Sequence, residues 1–418
     1  MNESVKERYR SKFYRQYLWC TALETDLLFF VVIDAIFLTT VKGLSMEQVS
    51  LLAFLSLVFS LVIQFPLLKG INRIGNKAAV RLGSVTMLIA AVGLTFAPNF
   101  AIMLIGGFMK CVAHTLNAMS TAVLKNHLVN DGKDNQFVSY QSDANSAASF
   151  IMMVTSLLCG PLFKVNGYGP MIACIALCIA GVYVSFIMTN GEQLDSEIIT
   201  TTEMKKHIRE QHRSGKCSNF VMFAAFAIFT ALTGTGISYM KMNFQELLVG
   251  IGTESTVLLL SIISTVVYLI RILSNMMTRG SFDKYRNRAL LIVSEFLVVG
   301  LALQMLPWVP SIRGITSIVI VLLCTGYLMA AFVRDPFITL IQNISLDLEG
   351  KARQQSMLIA LNSAKKVGAL VLSAVCTLLL DESIIIYAML LMAVAALINV
   401  ILCFRVISHN IIKQDRNS

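Results

Sequence analysis

Between Leu18 and Val406 nearly every stretch of about 20 residues is apolar, long enough to cross a hydrocarbon core of roughly 30 Å. In that medium no water serves the backbone, so only helices and closed barrels can span it. A barrel would show short alternating runs, whereas these are unbroken. The chain is therefore expected to be an all-α membrane protein. Twelve spans fit, at about 18–41, 48–68, 79–97, 100–122, 142–163, 169–188, 219–240, 255–277, 289–307, 314–333, 356–380 and 384–405. Composition agrees, since 56% hydrophobic and 14% charged residues leave too little polar surface for a soluble globule.

The formal net charge of +10 could point to nucleic acid in a soluble protein, but the 34 Lys and Arg residues alternate by loop. With the N-terminus inside, 26 of them, from Lys6 to Arg416, fall on the cytoplasmic side, and only Lys42, Lys164, Lys241 and Arg313 fall outside. That asymmetry puts both termini in the cytoplasm of a multi-pass plasma (inner) membrane protein and excludes a nucleic-acid partner. The first apolar stretch carries acids and no small-residue cleavage site, so it is expected to stay as a helix rather than leave as a signal peptide. Nine cysteines lie mostly in apolar segments, and the one close pair, Cys174 and Cys178, is a helical turn apart; free thiols are expected.

A polar stretch at 189–218 divides the spans six and six, giving an N-terminal bundle at 1–188, a cytoplasmic central loop and a C-terminal bundle at 219–418. Its Lys205, Lys206, Arg209 and Arg213 fit either an interfacial helix on anionic lipid or a solvated connector. The halves echo each other. Asn72-Arg73-Ile74-Gly75-Asn76-Lys77 after span two recurs as Asp283-Lys284-Tyr285-Arg286-Asn287-Arg288 after span eight, and Asn145-Ser146-Ala147 recurs as Asn362-Ser363-Ala364. Duplicated halves are a common transporter plan.

At these residues the sequence resembles the major facilitator superfamily, whose loop between helices two and three carries a G-x-x-x-D-R-x-G-R-K type motif. Here Leu68-Lys69-Gly70-Ile71-Asn72-Arg73-Ile74-Gly75-Asn76-Lys77 keeps Arg73, Gly75 and Lys77 and replaces the acid by Asn72, while the second copy keeps it as Asp283, followed by Lys284. The resemblance implies a gating role for this motif, in which the acid clamps the two halves against a helix N-terminus. It also implies twelve helices in two six-helix pseudo-repeats and transport by alternating access, and it sets Lys110 where many members carry an embedded Arg linked to proton coupling.

Ionisable residues inside a bilayer are costly and mark functional sites. Span one holds Glu24, Asp26 and Asp34. On a continuous helix Asp34 lies about 80° from each of the other two, so it shares a face with either but not both. All three are candidates for proton coupling, against the plainer reading of solvated carboxylates near the interface. Span four places Lys110, His114 and Asn117 on one stripe, with Lys110 the natural counter-charge for an acid of span one. Span eight repeats the pattern with Tyr268 and Arg271, where Arg271 either faces a cavity or snorkels. Asn145 on span five, and Asn362 and Lys366 on span eleven, complete the candidate cavity.

Cations set against acids suit a zwitterionic, amphiphilic or anionic organic solute. No P-loop, G-x-G-x-x-G or H-E-x-x-H string occurs, so an ATP-driven pump, an enzyme and a metal or cofactor site are not expected. The expected function is proton-coupled secondary transport by a monomer, with export of drugs or metabolites favoured over import of a small organic anion or zwitterion, and over a transporter-like receptor that moves nothing. Single-cysteine variants Asn2→Cys and Ser418→Cys, in a cysteine-free background, should react with a membrane-impermeant maleimide only after permeabilisation. Labelling of either in intact cells would reverse the topology.

Overall fold

The structure, a computed structural model, describes residues 11–188, 220–234, 253–285, 288–306, 316–349, 354–378 and 385–417. The central loop with Lys205 to Arg213, and the motif residues Arg286 and Asn287, lie outside these. Among the described residues there is no strand. The helices are α1 Lys12–Glu24, α2 Phe30–Ile36, α3 Met46–Val62, α4 Gln64–Ile74, α5 Asn76–Phe96, α6 Phe100–Asn117, α7 Ser120–Asn130, α8 Phe137–Val165 and α9 Gly169–Ile187. They continue with α10 Phe220–Gly234, α11 Thr253–Tyr285, α12 Arg288–Met305, α13 Thr316–Glu349, α14 Gln354–Leu378 and α15 Ile385–Asn417. By length and apolar composition, seven stretches of the described residues can each cross a bilayer, and the bent pair α3 and α4 makes an eighth.

Every expected span contains helix, but several differ in form. Span one is not continuous: α1 stops at Glu24, residues 25–29 are non-helical, and α2 runs on into a π-helical turn at Phe37–Val41. Span two bends by 54° between α3 and α4. Pro66 explains the bend, because it cannot donate the backbone bond that Val62 would accept. Span ten was expected to end near 333, yet α13 runs through Pro336 to Glu349. Its 34 residues make a rod of about 50 Å, some 20 Å longer than the hydrocarbon core. Likewise α11 reaches Tyr285, so Asp283 and Lys284 sit on a helix rather than in a loop. Lys125, counted among the cytoplasmic cations, is a buried residue of α7 with its ammonium 5.2 Å from the Phe137 ring centroid. The seven cysteines whose side chains are described are free thiols, as expected.

The chain groups into two compact units, one of Met1–Asp195, Leu247–Met276 and Gln354–Ile359, the other of Ser196–Glu246, Met277–Arg353 and Ala360–Ser418. In the first, α2 lies in an apolar core, its Phe30, Val32 and Ile33 packed with Met87 and Leu94 of α5, Met103 of α6 and Cys174 of α9.

Helices in lipid gain little from burying apolar surface against each other, so close approach through small residues becomes the main source of affinity. In the first unit α5 and α6 meet at Gly93 and Gly106, where a Cβ on Gly106 would lie 3.1 Å from the Leu94 backbone nitrogen. In the second unit α12 and α13 meet at Gly300 and Gly326, and a Cβ on Gly326 would lie 2.5 Å from the Gly300 carbonyl oxygen. The same central helices also pair with the last helix of their group, α5 with α9 and α12 with α15. Arg81 of α5 donates to the Phe186 carbonyl of α9 at 3.0 Å, and Ser294 of α12 to Cys403 of α15 at 3.2 Å. The faint sequence duplication thus has a counterpart in which helices pair within each unit.

Gly326→Ala should lower the thermal unfolding midpoint in detergent more than Gly106→Ala, the larger loss corresponding to about 1 to 3 kcal/mol of overpacking. Gly70→Ala, with open space around its Cβ position, should be neutral or slightly stabilising. Equal midpoints for all three would show that glycine contact does not hold these helix pairs.

Candidate functional site

The break in span one creates the site. Ending α1 at Glu24 leaves its last carbonyls without helical partners. Asn117 of α6 supplies one donor, its side-chain amide lying 3.4 Å from the Glu24 carbonyl oxygen. That reach depends on Gly83 of α5, because a Cβ there would lie 1.9 Å from Asn117 Oδ1. Within the gap, Asp26 Oδ1 accepts the Leu27 backbone N–H at 2.7 Å. Thr25 and Asp26 favour such a gap, since short polar side chains compete for the backbone and disfavour helix interiors.

The same Asp26 oxygen lies 3.0 Å from Lys110 Nζ and 3.2 Å from His114 Nε2. The Lys110 ammonium also stands 5.2 Å from the centroid of the Phe30 ring, at the start of α2. Lys110, His114 and Asn117 thus project from one stripe of α6, and all three engage the broken strand of chain from Glu24 to Asp26. About a quarter of the Asp26 side chain and a third of the His114 side chain remain accessible.

Glu24 has different surroundings, although it is only two residues away. It is 6% exposed, its carboxyl hydrogen-bonds Ser84 of α5, and among the described residues it has no cationic partner. A Cβ on Gly181 of α9 would lie 3.6 Å from Glu24 Cγ. The two acids thus differ: Glu24 is buried, and Asp26 is ion-paired.

Asp34 differs from expectation. Because the chain between Glu24 and Phe30 is not helical, the rotation of about 80° computed for a continuous helix does not apply. Asp34 is an exposed residue of α2.

On α8, Asn145 accepts from Gln141 at 3.2 Å, and Gln141 accepts from the Tyr17 hydroxyl of α1 at 2.9 Å. Asn145 therefore belongs to a polar seam between α8 and α1. Tyr268 of α11 is buried among Leu23, Leu28 and Met152, with the Arg271 guanidinium 5.3 Å from its ring centroid. Asn362 and Lys366 are half-buried on α14, in the second unit. Asn72 and Arg73 are exposed in the last turn of α4. Gly75, at φ +82°, ends that helix, and half-buried Lys77 begins α5. The left-handed backbone at Gly75 is one that other residues rarely adopt.

Ser84 and Gln141 were not singled out in the sequence. Each sits in a run of helix-compatible residues, and nothing local marks it; only its partner across the helix pair does.

An all-helical chain with many apolar spans, a broken first span and paired charges inside it defines a multi-pass membrane protein of the transporter class. The chain belongs to the Major Facilitator Superfamily, whose family profile matches residues 18–352. A comparison with curated proteins found no match. Among solved structures, the chain is similar to a bacterial homologue of the iron transporter ferroportin in an outward-facing state. The TM-score is 0.70 at 12% identity, over 95% of this chain and 100% of that one. It is similar to the proton:xylose symporter XylE bound to 6-bromo-6-deoxy-D-glucose, with TM-score 0.66 at 13% identity, over 94% of this chain and 93% of that one. The transporter FucP in the outward conformation gives TM-score 0.67 at 12% identity, over 94% of this chain and 99% of that one. At these identities the likeness is one of fold, and the expected twelve-helix all-α fold holds.

Lys110→Met leaves Asp26 short of a counter-charge and should lower stability by about 1 to 3 kcal/mol, between the exposed and buried limits for ion pairs. Asp26→Asn in the same chain should restore most of that loss. A double variant as unstable as the sum of its parts would mean the two residues do not interact.

Proposed function

We propose that this chain is a proton-coupled secondary transporter that exports a small organic solute across the plasma (inner) membrane, with both termini in the cytoplasm. The division of labour between Glu24 and Asp26 carries the reading. Ser84 has one hydroxyl proton but two acceptors, the Val80 carbonyl oxygen at 2.9 Å and the Glu24 carboxyl. The arrangement closes without a lone-pair conflict when Glu24 is protonated and donates to Ser84, whose own hydroxyl donates to the Val80 carbonyl oxygen. Glu24 is thus suited to carry the coupled proton, a role that Asp34 fits less well in its exposed position.

Asp26, Lys110 and His114 form the solute site. A zwitterionic or anionic solute competes with Asp26 for the Lys110 ammonium, and the cationic group of a zwitterion takes Lys110's place on Asp26. Loss of the Glu24 proton puts a second negative charge beside this site and changes its affinity, which is the coupling a proton-driven cycle needs. Rocking of the halves 1–188 and 219–418 then exposes the site to alternate faces. Asn362, Lys366 and Arg271 are further candidates for contact with the solute during the cycle, and the motifs at Asn72 and Asp283 gate the cytoplasmic side. Export is assigned because superfamily members with acids on helix one include many multidrug antiporters. The transported molecule, a proton and the bilayer are the partners, and the monomer is the working unit.

The test is flux in proteoliposomes under an imposed pH gradient, screened over a panel of zwitterionic and anionic metabolites and drugs. Glu24→Gln should keep solute exchange at equilibrium and lose gradient-driven accumulation by at least about tenfold, while Asp26→Asn should lose both. Unchanged accumulation in Glu24→Gln would remove it as the proton site, and binding without flux in the native chain would make the protein a transporter-like receptor.

A further inference from the structure

A groove of about 310 Å³ runs between the start of α1 and the end of α9, lined by Lys12, Arg15, Gln16, Trp19, Val184 and Ile187. It lies apart from the charged site at the helix-one break, and the transport reading does not use it. Its two cations are exposed and stand within the first turn of α1, where the positive end of the helix dipole adds to their field. Its opposite wall ends in the C-terminus of α9, which would normally present carbonyl oxygens and repel an anion. Here those oxygens are occupied. Arg81 donates to Ser185 and Phe186 at 3.4 and 3.0 Å, and the Gln16 side chain donates to Ile187 at 3.0 Å.

The rest of the groove is greasy. Trp19 is 55% exposed and Ile187 43% exposed. Trp19 follows Arg15 by one turn, so the indole lies deeper along the helix than the cations. A basic rim above an exposed indole and aliphatic residues is complementary to one kind of molecule, with an anionic head and hydrocarbon tails.

We propose that this groove binds an anionic phospholipid, with its headgroup phosphate on Lys12 and Arg15 and an acyl chain along Trp19, Val184 and Ile187. With the N-terminus inside, the lipid comes from the cytoplasmic leaflet. Occupancy ties α1, the helix that carries Glu24 and leads to Asp26, to α9 at their membrane surface.

The full chain, purified and titrated with phosphatidylglycerol or phosphatidylcholine, is read by native mass spectrometry for bound lipid. Phosphatidylglycerol should be retained over phosphatidylcholine. Lys12→Gln or Arg15→Gln should weaken its retention about fivefold each, and the double variant about 25-fold. Trp19→Ala should weaken both lipids. Thermal unfolding in phosphatidylcholine alone verifies that each variant is folded. Three results would overturn the proposal. The charge-matched control Lys69→Gln/Lys133→Gln could lose phosphatidylglycerol equally, which would indicate general surface charge. The two lipids could bind alike. Finally, neutralising Glu192, Asp195 and Glu197 could raise phosphatidylglycerol binding several-fold in the native groove, which would make that acidic stretch of the chain the occupant.

Discussion

A backbone placed in hydrocarbon must satisfy its own hydrogen bonds, and the chain between Thr25 and Phe29 does not do so by helix alone. Side chains take part of the load: Asn117 meets the Glu24 carbonyl, and the Asp26 carboxylate meets the Leu27 N–H. Each helper is polar and therefore costly to bury in its own right, and the charged one is stabilised by further partners. Asp26 requires Lys110 and His114. The charged site is the consequence of ending a helix within an apolar span.

This explains what could be read from the sequence alone. Number and approximate position of the spans follow from apolar length, a property of each segment by itself. The α6 stripe was equally legible, because i, i+4, i+7 spacing survives in any regular helix; it correctly paired Lys110 with an acid of span one. The break at residues 25–29 was not legible, because apolar residues on both sides satisfy a continuous helix as well as a broken one. Treating the span as one rod gave Asp34 an angular relation to Glu24 and Asp26 that the broken chain does not keep. The long rod of α13 was hidden for the opposite reason: polar and charged residues such as Arg334 and Asp335 end a hydrophobic window without ending a helix. Ser84 and Gln141 needed knowledge of which helix lies opposite, which only the tertiary packing supplies.

The paired glycines of the two units add physical content to the duplication. Only scattered letters match between the halves, yet in both units consecutive helices approach closely through a glycine on each side, Gly93 with Gly106 and Gly300 with Gly326. A packing requirement of this kind tolerates change at the residues around it but not at the contact itself.

Gly83 shows how narrow such a requirement can be. Its missing methyl group is the space that Asn117 Oδ1 fills. Positions 83 and 117 are therefore one choice spelled in two places. Among relatives that keep the helix-one break, an amide at 117 should appear with glycine at 83, and a larger residue at 83 with a shorter one at 117. The two sites would change in step, although 34 positions of chain separate them.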